Sequence, residues 1–170
     1  MPQIEEFVRT LILGNSGSGK SWLSERLAAA LQVRAVDLDS VHWEPSDYRN
    51  AREKQLAIEM VRQISAGSTW VIEGVYGWLA QEALPQATAL IWLDIPVADC
   101  LKNIGGRGPR RGGDDTAFTA LLRWAEEYPT RQSSSSFAGH ERLFQDFSKR
   151  RLRLRSHGEV NEFLAAIQRL

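Results

Sequence analysis

Apolar and polar positions along this chain follow two periods, one typical of strands and one typical of helices. Short β-branched or leucine-rich runs predict strands at 8–13, 33–38, 69–73, 89–94 and 151–155. Apolar residues at helical spacing predict helices from Ser21, at 50–66, from Pro96, at 117–128, at 140–147 and after a Ser156-x-x-Glu159 capping box. This alternation predicts an α/β protein with a parallel sheet covered by helices on both faces. We expect one domain over residues 1–170.

The pattern breaks between residues 105 and 115, where glycines and arginines replace the apolar positions. A segment of this composition has little capacity to pack against a core, so we predict a loop there. Ser133 to Ser136 form a shorter polar linker. No internal repeat and no second domain boundary is visible.

The loop after the first strand carries the pattern G-x-x-x-x-G-K-[ST] without deviation. Its residues are Gly14, Asn15, Ser16, Gly17, Ser18, Gly19, Lys20 and Ser21. Glycines let the backbone close around an anion, and several N–H groups then point into one concavity at a helix N-terminus. Lys20 is expected to face solvent in the empty site and to bridge the β- and γ-phosphates when filled, with the Ser21 hydroxyl on Mg²⁺. The chain is therefore predicted to bind a nucleoside triphosphate.

Carboxylates follow several of the predicted strands. Asp37 and Asp39 end the second strand, Glu73 ends the third, and Asp94 ends the fourth. Ligands of open α/β sheets bind beyond the carboxyl ends of the strands, so Asp37 and Glu73 are candidates for the metal and Asp39 for a general base. Each aspartate could instead cap a turn or a helix. The sequence does not rank these carboxylates.

Three arginines lie in the glycine-rich segment: Arg107, Arg110 and Arg111. Guanidinium forks match phosphate oxygens, so these side chains are candidates for stabilising a phosphoryl group in transfer. A solvated basic loop is the alternative. Arg123 and Arg131 flank the next helix and could reach the same site.

Composition narrows the partners and the compartment. Lys+Arg and Asp+Glu are equal at 21 each, which argues against nucleic acid or an anionic membrane as partner. Cys100 is the single cysteine, which excludes an intrachain disulfide and fits a reducing compartment. The sequence shows neither a signal-peptide core nor an 18-residue apolar run. We therefore expect a soluble, cytoplasmic protein.

Several motifs together resemble the adenylate-kinase-related group often labelled DNA topology-modulation proteins. They are the Walker A segment, Asp37-Leu-Asp39 with His42-Trp43-Glu44-Pro45, Trp70-Val-Ile-Glu73-Gly74-Val-Tyr76, Ile91-Trp-Leu-Asp94-Ile-Pro96 and Leu154-Arg155-Ser156. The resemblance implies a three-layer P-loop kinase fold with strand order 2-3-1-4-5 and a small lid at about 105–115. It also implies that Arg107 stacks on adenine while Arg110 and Arg111 clamp the phosphates.

Two departures from nucleotide kinases argue against AMP as the acceptor. The chain lacks a long monophosphate-binding insertion with its usual arginine, and Glu73-Gly74 stands where Asp-Gly is expected. We therefore predict an ATP- and Mg²⁺-dependent phosphotransferase acting on a small acceptor. The alternatives are a nucleotide-binding regulatory protein with slow hydrolysis and a DNA-topology factor, for which the sequence offers no DNA-binding motif.

Overall fold

A computed structural model of the chain describes residues 4–45, 47–109 and 113–167, with the backbone alone for Asp47 and Tyr48. The strands are β1 Arg9–Gly14, β2 Ala35–Asp37, β3 Trp43–Glu44, β4 Asp47–Ala51, β5 Trp70–Gly74, β6 Ala89–Leu93 and β7 Arg150–Leu154. The helices are α1 Lys20–Ala30, α2 Leu38–His42, α3 Lys54–Ser65, α4 Gly77–Ala83, α5 Val97–Arg107, α6 Asp115–Glu126, α7 Phe137–Asp146 and α8 His157–Ile167, with short 3₁₀ turns at Ile4–Phe7 and Leu84–Gln86.

The central sheet has five strands in the order β2-β5-β1-β6-β7, and every neighbouring pair is parallel. Numbered within this sheet alone, the order is 2-3-1-4-5, which confirms the predicted topology. The strand β1 therefore lies at the centre, and its carboxyl end delivers the loop of residues 14–21. Parallel neighbours place the ends of β2 and β5 at the same edge of the sheet.

Helices cover both faces of the sheet, as predicted, and each face has its own core. Ile12 of β1 packs on one side with Leu23 and Leu27 of α1 and Phe163 of α8. Leu11 and Leu13 alternate to the other side, where α3, α4 and α7 pack. The strands β1, β5 and β6 are almost fully buried, as expected for parallel strands covered on both faces.

Three short elements depart from the predicted pattern. Leu38 begins the five-residue helix α2, so the second strand is shorter than predicted. Residues 43–51 form an antiparallel hairpin, β3 and β4, where the sequence predicted the start of a helix at residue 50. The helix α3 begins at Lys54 because the Glu53 carboxylate caps it, accepting from the backbone N–H groups of Gln55 and Leu56.

No helix among the described residues combines the length and the apolar character needed to cross a lipid bilayer.

A buried polar chain joins α7 to the sheet. Trp92 Nε1–H donates to Tyr128 Oη at 3.1 Å, Tyr128 Oη lies 2.8 Å from His140 Nδ1, and His140 Nε2 lies 2.8 Å from the carbonyl oxygen of Val75. A carbonyl oxygen only accepts, so Nε2 carries the proton and Nδ1 accepts from the Tyr128 hydroxyl. A neutral imidazole satisfies this chain, and burial lowers the pKa of His140 to about 4.

Acid is expected to destabilise the protein through His140. An unfolded histidine titrates near 6.5 and the folded one near 4, so the unfolded state binds the proton first and stability falls as pH drops through this window. His140→Gln should cost roughly 1–3 kcal/mol at neutral pH, because Tyr128 and Val75 lose good partners, and the loss should shrink toward pH 4. Urea unfolding of both proteins across the window measures it. A loss that does not change with pH would contradict the neutral imidazole.

Candidate active site

The loop between β1 and α1 is held in a conformation that favours glycine. Gly17 and Gly19 have φ angles of 78° and 94°, in the left-handed region. Asn103 Nδ2 of α5 donates to the Gly17 carbonyl at 2.9 Å, and a Cβ at Gly17 would collide with the carbonyl of Cys100. The helix α5 therefore packs directly on the loop and fixes its shape.

Lys20 folds back onto this loop. Its side chain is 9% exposed, and Nζ donates to the carbonyl oxygen of Asn15 at 2.8 Å. The expectation that Lys20 faces solvent is therefore wrong, because its ammonium group is hydrogen-bonded to a carbonyl of its own loop. The ammonium group lies inside the curve of the loop, where a polyphosphate would be held.

Two buried polar atoms of the loop lack a protein partner among the described residues. They are Ser18 Oγ and Asn15 Oδ1, although Asn15 Nδ2 donates to the Ala125 carbonyl at 2.9 Å. A buried hydroxyl without a partner costs free energy unless a ligand supplies one. The orphaned Ser18 hydroxyl thus fits a ligand that brings acceptor oxygens, as a phosphate does.

Ser21 and Glu73 form the predicted metal side of the site. Ser21 Oγ donates to Glu73 Oε1 at 2.8 Å, and Glu73 is 3% exposed. Asp37 lies beside Glu73 on the neighbouring strand, in register with it. Within the described part of the chain, no group of three or more His, Cys, Asp or Glu residues is placed to hold an ion unaided. The oxygen donors present suit Mg²⁺, which commonly takes one or two carboxylates and completes its shell with water and phosphate.

The environment of Glu73 opposes its ionisation. The pKa of Glu73 is raised to about 7, chiefly by burial and also by the charges of Asp37 and Asp39. The Lys20 ammonium and the hydrogen bond from Ser21 act in the opposite direction. These interactions place Lys20, Asp37, Asp39 and Ser21 within electrostatic reach of one carboxyl group. A divalent cation would favour its ionised form.

Glu73→Gln is expected to stabilise the empty protein above neutral pH. The folded pKa of about 7 lies above the ordinary 4.5, so the favourable contribution of Glu73 is complete below 4.5 and is lost as pH rises through about 7. Glutamine keeps the acceptor for Ser21 without the buried charge, and the gain is roughly 3 kcal/mol near pH 8 from that pKa difference. Urea unfolding at pH 8 and at pH 4.5 measures it. Equal stability of both proteins at pH 8 would contradict the raised pKa.

Asp37 and Asp39 have different surroundings. Asp37 Oδ1 accepts from the backbone N–H of Asp39 at 2.8 Å and caps α2, so the capping alternative describes part of what Asp37 does. Asp39 lies in the first turn of α2, close enough to Tyr76 that its carboxylate raises the pKa of the Tyr76 hydroxyl, which burial already raises. The metal role of Asp37 and the base role of Asp39 stay predictions.

Aromatic side chains surround Asp39. The His42 ring lies 4.2 Å from Tyr76, 4.4 Å from Trp43 and 5.8 Å from Trp78, measured between ring centroids. The end of α2, the strand β3 and the start of α4 position them. Trp43 and Tyr76 therefore come together near Asp39.

A cavity of about 390 Å³ opens on the outer side of the loop. Its lining joins the loop to α1, α5 and α8, through Gly17, Ser18, Gly19, Trp22, Asn103, Arg107, His157, Val160 and Asn161. Arg107 therefore lines the same cavity as residues 17–19 of the loop, and its role stays a prediction. The loop predicted from residue 105 is wrong at its start, because α5 continues through Arg107. Arg110 and Arg111 lie outside the described residues.

Two other charged candidates, Asp94 and Arg131, have structural partners. Asp94 Oδ2 pairs with Arg153 at 2.8 Å. The Arg131 guanidinium stacks on Trp124 and donates to the Ser135 carbonyl. These contacts give Asp94 and Arg131 a structural role in the fold.

Sequence reasoning missed several residues that line the site. Asn103 precedes Arg107 by four positions and thus shares its helix face, a spacing that could have indicated it. Trp22 directly follows the Walker A serine and is 42% exposed, unusual for so large an apolar side chain. Nothing in the sequence around Trp78 indicated that its ring would contact His42.

No protein-family model matches the chain, and no curated protein matches it. Solved structures do match. Shikimate kinase from Bacteroides thetaiotaomicron superposes with a TM-score of 0.55 at 15% identity, covering 96% of this chain and 97% of that chain. Shikimate kinase from Acinetobacter baumannii, in complex with shikimate, gives 0.56 at 14%, with coverages of 96% and 93%. A gluconokinase from Sinorhizobium meliloti gives 0.53 at 16%, with coverages of 95% and 91%.

Identities this low establish a common fold and leave the activity open. The narrower resemblance to DNA topology-modulation proteins is not confirmed by these comparisons. Together with the strand order and the Walker A loop after β1, they show that the chain has the α/β fold of the P-loop kinases.

Proposed function

We propose that this protein is an ATP- and Mg²⁺-dependent phosphotransferase that acts on a small hydroxyl-bearing acceptor. One observation carries the proposal: Glu73 connects the Walker A loop to the carboxylates at the ends of the strands. Glu73 accepts a hydrogen bond from Ser21, and it interacts electrostatically with Lys20, Asp37 and Asp39. The loop that would hold the phosphate donor and the carboxylate that would receive the acceptor's proton, Asp39, therefore belong to one site.

The loop holds the triphosphate in this account. Its backbone N–H groups and Lys20 contact the phosphates, and the Ser18 hydroxyl gains the partner that it lacks in the protein. The cavity beside the loop takes the base and ribose, with Arg107 at its wall. Arg110 and Arg111 remain proposed phosphate contacts.

The chemistry divides among the remaining residues. Asp39 accepts the proton of the acceptor hydroxyl. At the same time the hydroxyl oxygen bonds to the γ-phosphorus, and the bond between the γ-phosphorus and the β-phosphate oxygen of the departing ADP breaks. Lys20 neutralises charge on the phosphoryl oxygens. Ser21 and Glu73 would hold Mg²⁺, with Asp37 beside them, and the bound ion would offset negative charge on the phosphates.

Two comparisons support this proposal. The matching structures carry the names shikimate kinase and gluconokinase, kinases of small hydroxyl compounds, and they cover nearly the whole chain. The resemblance to adenylate-kinase-related proteins also points to phosphoryl transfer. Against a DNA role, Arg153 is paired with Asp94, and Arg151 donates to the carbonyls of Phe144 and Gln145.

Acceptor-stimulated release of ADP tests the proposal. The protein is incubated with ATP and Mg²⁺, and ADP is measured with and without fractions of a protein-free small-molecule extract. We expect at least one fraction to stimulate release, and EDTA to abolish it. Slow release that no fraction changes would contradict the proposal and support a nucleotide-binding regulatory protein instead.

A further inference from the structure

Four aromatic side chains form a continuous patch at the acceptor side of the site: His42, Trp43, Tyr76 and Trp78. We call it the aromatic platform. His42 lies at its centre, tilted by 33° against Tyr76 and in edge-to-face contact with Trp43 and Trp78, at 73° and 76°. The rings are therefore not coplanar, and a ligand would stack on the open face of one of them. Tyr76 and Trp78 pack on the core with their inner sides, and all four rings are half-buried, so each keeps part of its surface open to solvent. A fixed aromatic surface of this kind suits stacking by a flat or ring-shaped ligand.

The platform reaches the proposed base through Tyr76. Trp43 Nε1–H donates to Tyr76 Oη at 3.1 Å and so fixes the phenol ring. Burial raises the pKa of Tyr76 well above its usual value, and the nearby Asp39 carboxylate raises it as well, so the hydroxyl keeps its proton. A ring that stacks on the platform would therefore lie close to the Asp39 carboxylate.

Charge near the platform disfavours an anion. The carboxyl groups of Asp37, Asp39 and Glu73 lie at this sheet edge with Lys20. Arg52 donates to the carbonyls of Val41 and Trp43 and pairs with Glu44 at 3.7 Å, so its guanidinium is already engaged. One positive charge acts in the opposite direction, since Lys54 Nζ lies 5.8 Å from the Trp78 ring, but it is outnumbered by the three carboxyl groups. Burial lowers the pKa of His42, which leaves the central ring uncharged at neutral pH.

We propose that the acceptor is an uncharged alcohol with a ring, whose apolar face stacks on the aromatic platform while a hydroxyl meets Asp39. Nucleosides, pyranose sugars and cyclitols share this chemistry. The inference rests on the proposed phosphotransferase function and adds the substrate class to it. It separates this chain from kinases whose acceptor is a carboxylate such as shikimate.

A matched panel of acceptors tests the substrate class. Glucose, myo-inositol and adenosine are uncharged rings, sorbitol is an uncharged open chain, gluconate and glucuronate are anions, shikimate is an anionic ring, and glucosamine is a cationic ring. Binding is followed by saturation-transfer NMR in the presence of Mg²⁺ and a non-hydrolysable ATP analogue, and turnover by ADP release. We expect at least one uncharged ring to bind at least about tenfold more tightly than sorbitol and the anions. Stacking on one aromatic face provides a gain in affinity of this size. Comparison of glucose, myo-inositol and adenosine then shows whether the acceptor is a pyranose sugar, a cyclitol or a nucleoside.

Variants of the platform separate stacking from positioning. His42→Ala should weaken binding of the preferred ring by about tenfold with little effect on nucleotide binding. Tyr76→Phe keeps the ring but removes the hydroxyl that lies near Asp39, so kcat should fall more than KM rises. Trp43→Phe keeps a ring and provides a second test if His42→Ala fails to fold. Leu56→Ala, at an exposed apolar residue of α3, is the control and should change neither constant.

The outcomes distinguish this inference from the function on which it rests. Failure of the protein to bind ATP and Mg²⁺ would overturn the phosphotransferase itself. Normal ATP binding with preferred use of an anion, of glucosamine or of sorbitol would overturn the substrate class alone. So would a panel in which the uncharged rings show no binding, or a His42→Ala protein that binds the preferred ring as tightly as its parent.

Discussion

Lys20→Met is expected to reduce ATP turnover by about 10²–10³-fold, the usual cost of removing one group that stabilises charge in the transition state. Methionine keeps the length of the side chain but removes the ammonium group that bonds the Asn15 carbonyl and lowers the pKa of Glu73. Because that hydrogen bond is lost as well, we also expect a stability change of about 1 kcal/mol. Steady-state ADP release and urea unfolding measure the two effects.

Lys102→Met is the matched control, because Lys102 is an exposed residue of α5. It should retain turnover near the parent value. A Lys20→Met protein that binds and hydrolyses ATP like its parent would remove the loop from the account. Equal losses in both variants would mean that the charge acts through the general field of the protein and not at the phosphates.

Asp39→Asn is expected to abolish most phosphoryl transfer, by about 10²–10⁴-fold, while ATP affinity is largely retained. Asparagine has nearly the same shape, but it cannot accept the acceptor proton as a carboxylate does. The nucleotide is held mainly by the loop of residues 14–21, which the change does not touch. Transfer rate and ATP dissociation constant are measured on the same preparation.

Asp146→Asn, at an exposed residue of α7, is the control for this change and should transfer at the parent rate. If Asp39→Asn also transfers at the parent rate, Asp39 serves the structure of α2 and Asp37 or Glu73 becomes the next candidate for the base. A large loss of ATP affinity would instead place Asp39 on the nucleotide side of the site.

The parts of the fold that were predictable are those with long, regular signals. The buried strands β1, β5 and β6 were visible as apolar runs, and the Walker A loop was visible because close approach to phosphate demands glycine at defined positions. The Ser156 half of the capping box before α8 was also confirmed, because the Glu159 N–H donates to Ser156 Oγ. The Glu159 carboxylate accepts from the N–H of Arg155, one residue earlier than the box predicts. These features are decided locally, so the sequence alone reveals them.

The remaining features depend on tertiary contacts. Gly105 and Gly106 are poor helix formers, yet α5 continues through them, because Cys100 and Ile104 are buried and Asn103 bonds the P-loop. The helix α2 and the hairpin β3–β4 are too short for periodicity to detect. The burial of Lys20 likewise depends on the folded shape of the loop. The acceptor side of the site, which these short elements build, was therefore the part that the sequence described least.

Transfer of the terminal phosphate is the central claim, and labelled ATP tests it most directly. The protein is incubated with γ-labelled ATP, Mg²⁺ and the uncharged ring acceptors, and the products are separated from inorganic phosphate. We expect label to appear in a phosphomonoester of one acceptor, and both Lys20→Met and Asp39→Asn to suppress it. Label found in inorganic phosphate alone, at a rate that no acceptor changes, would contradict the central claim.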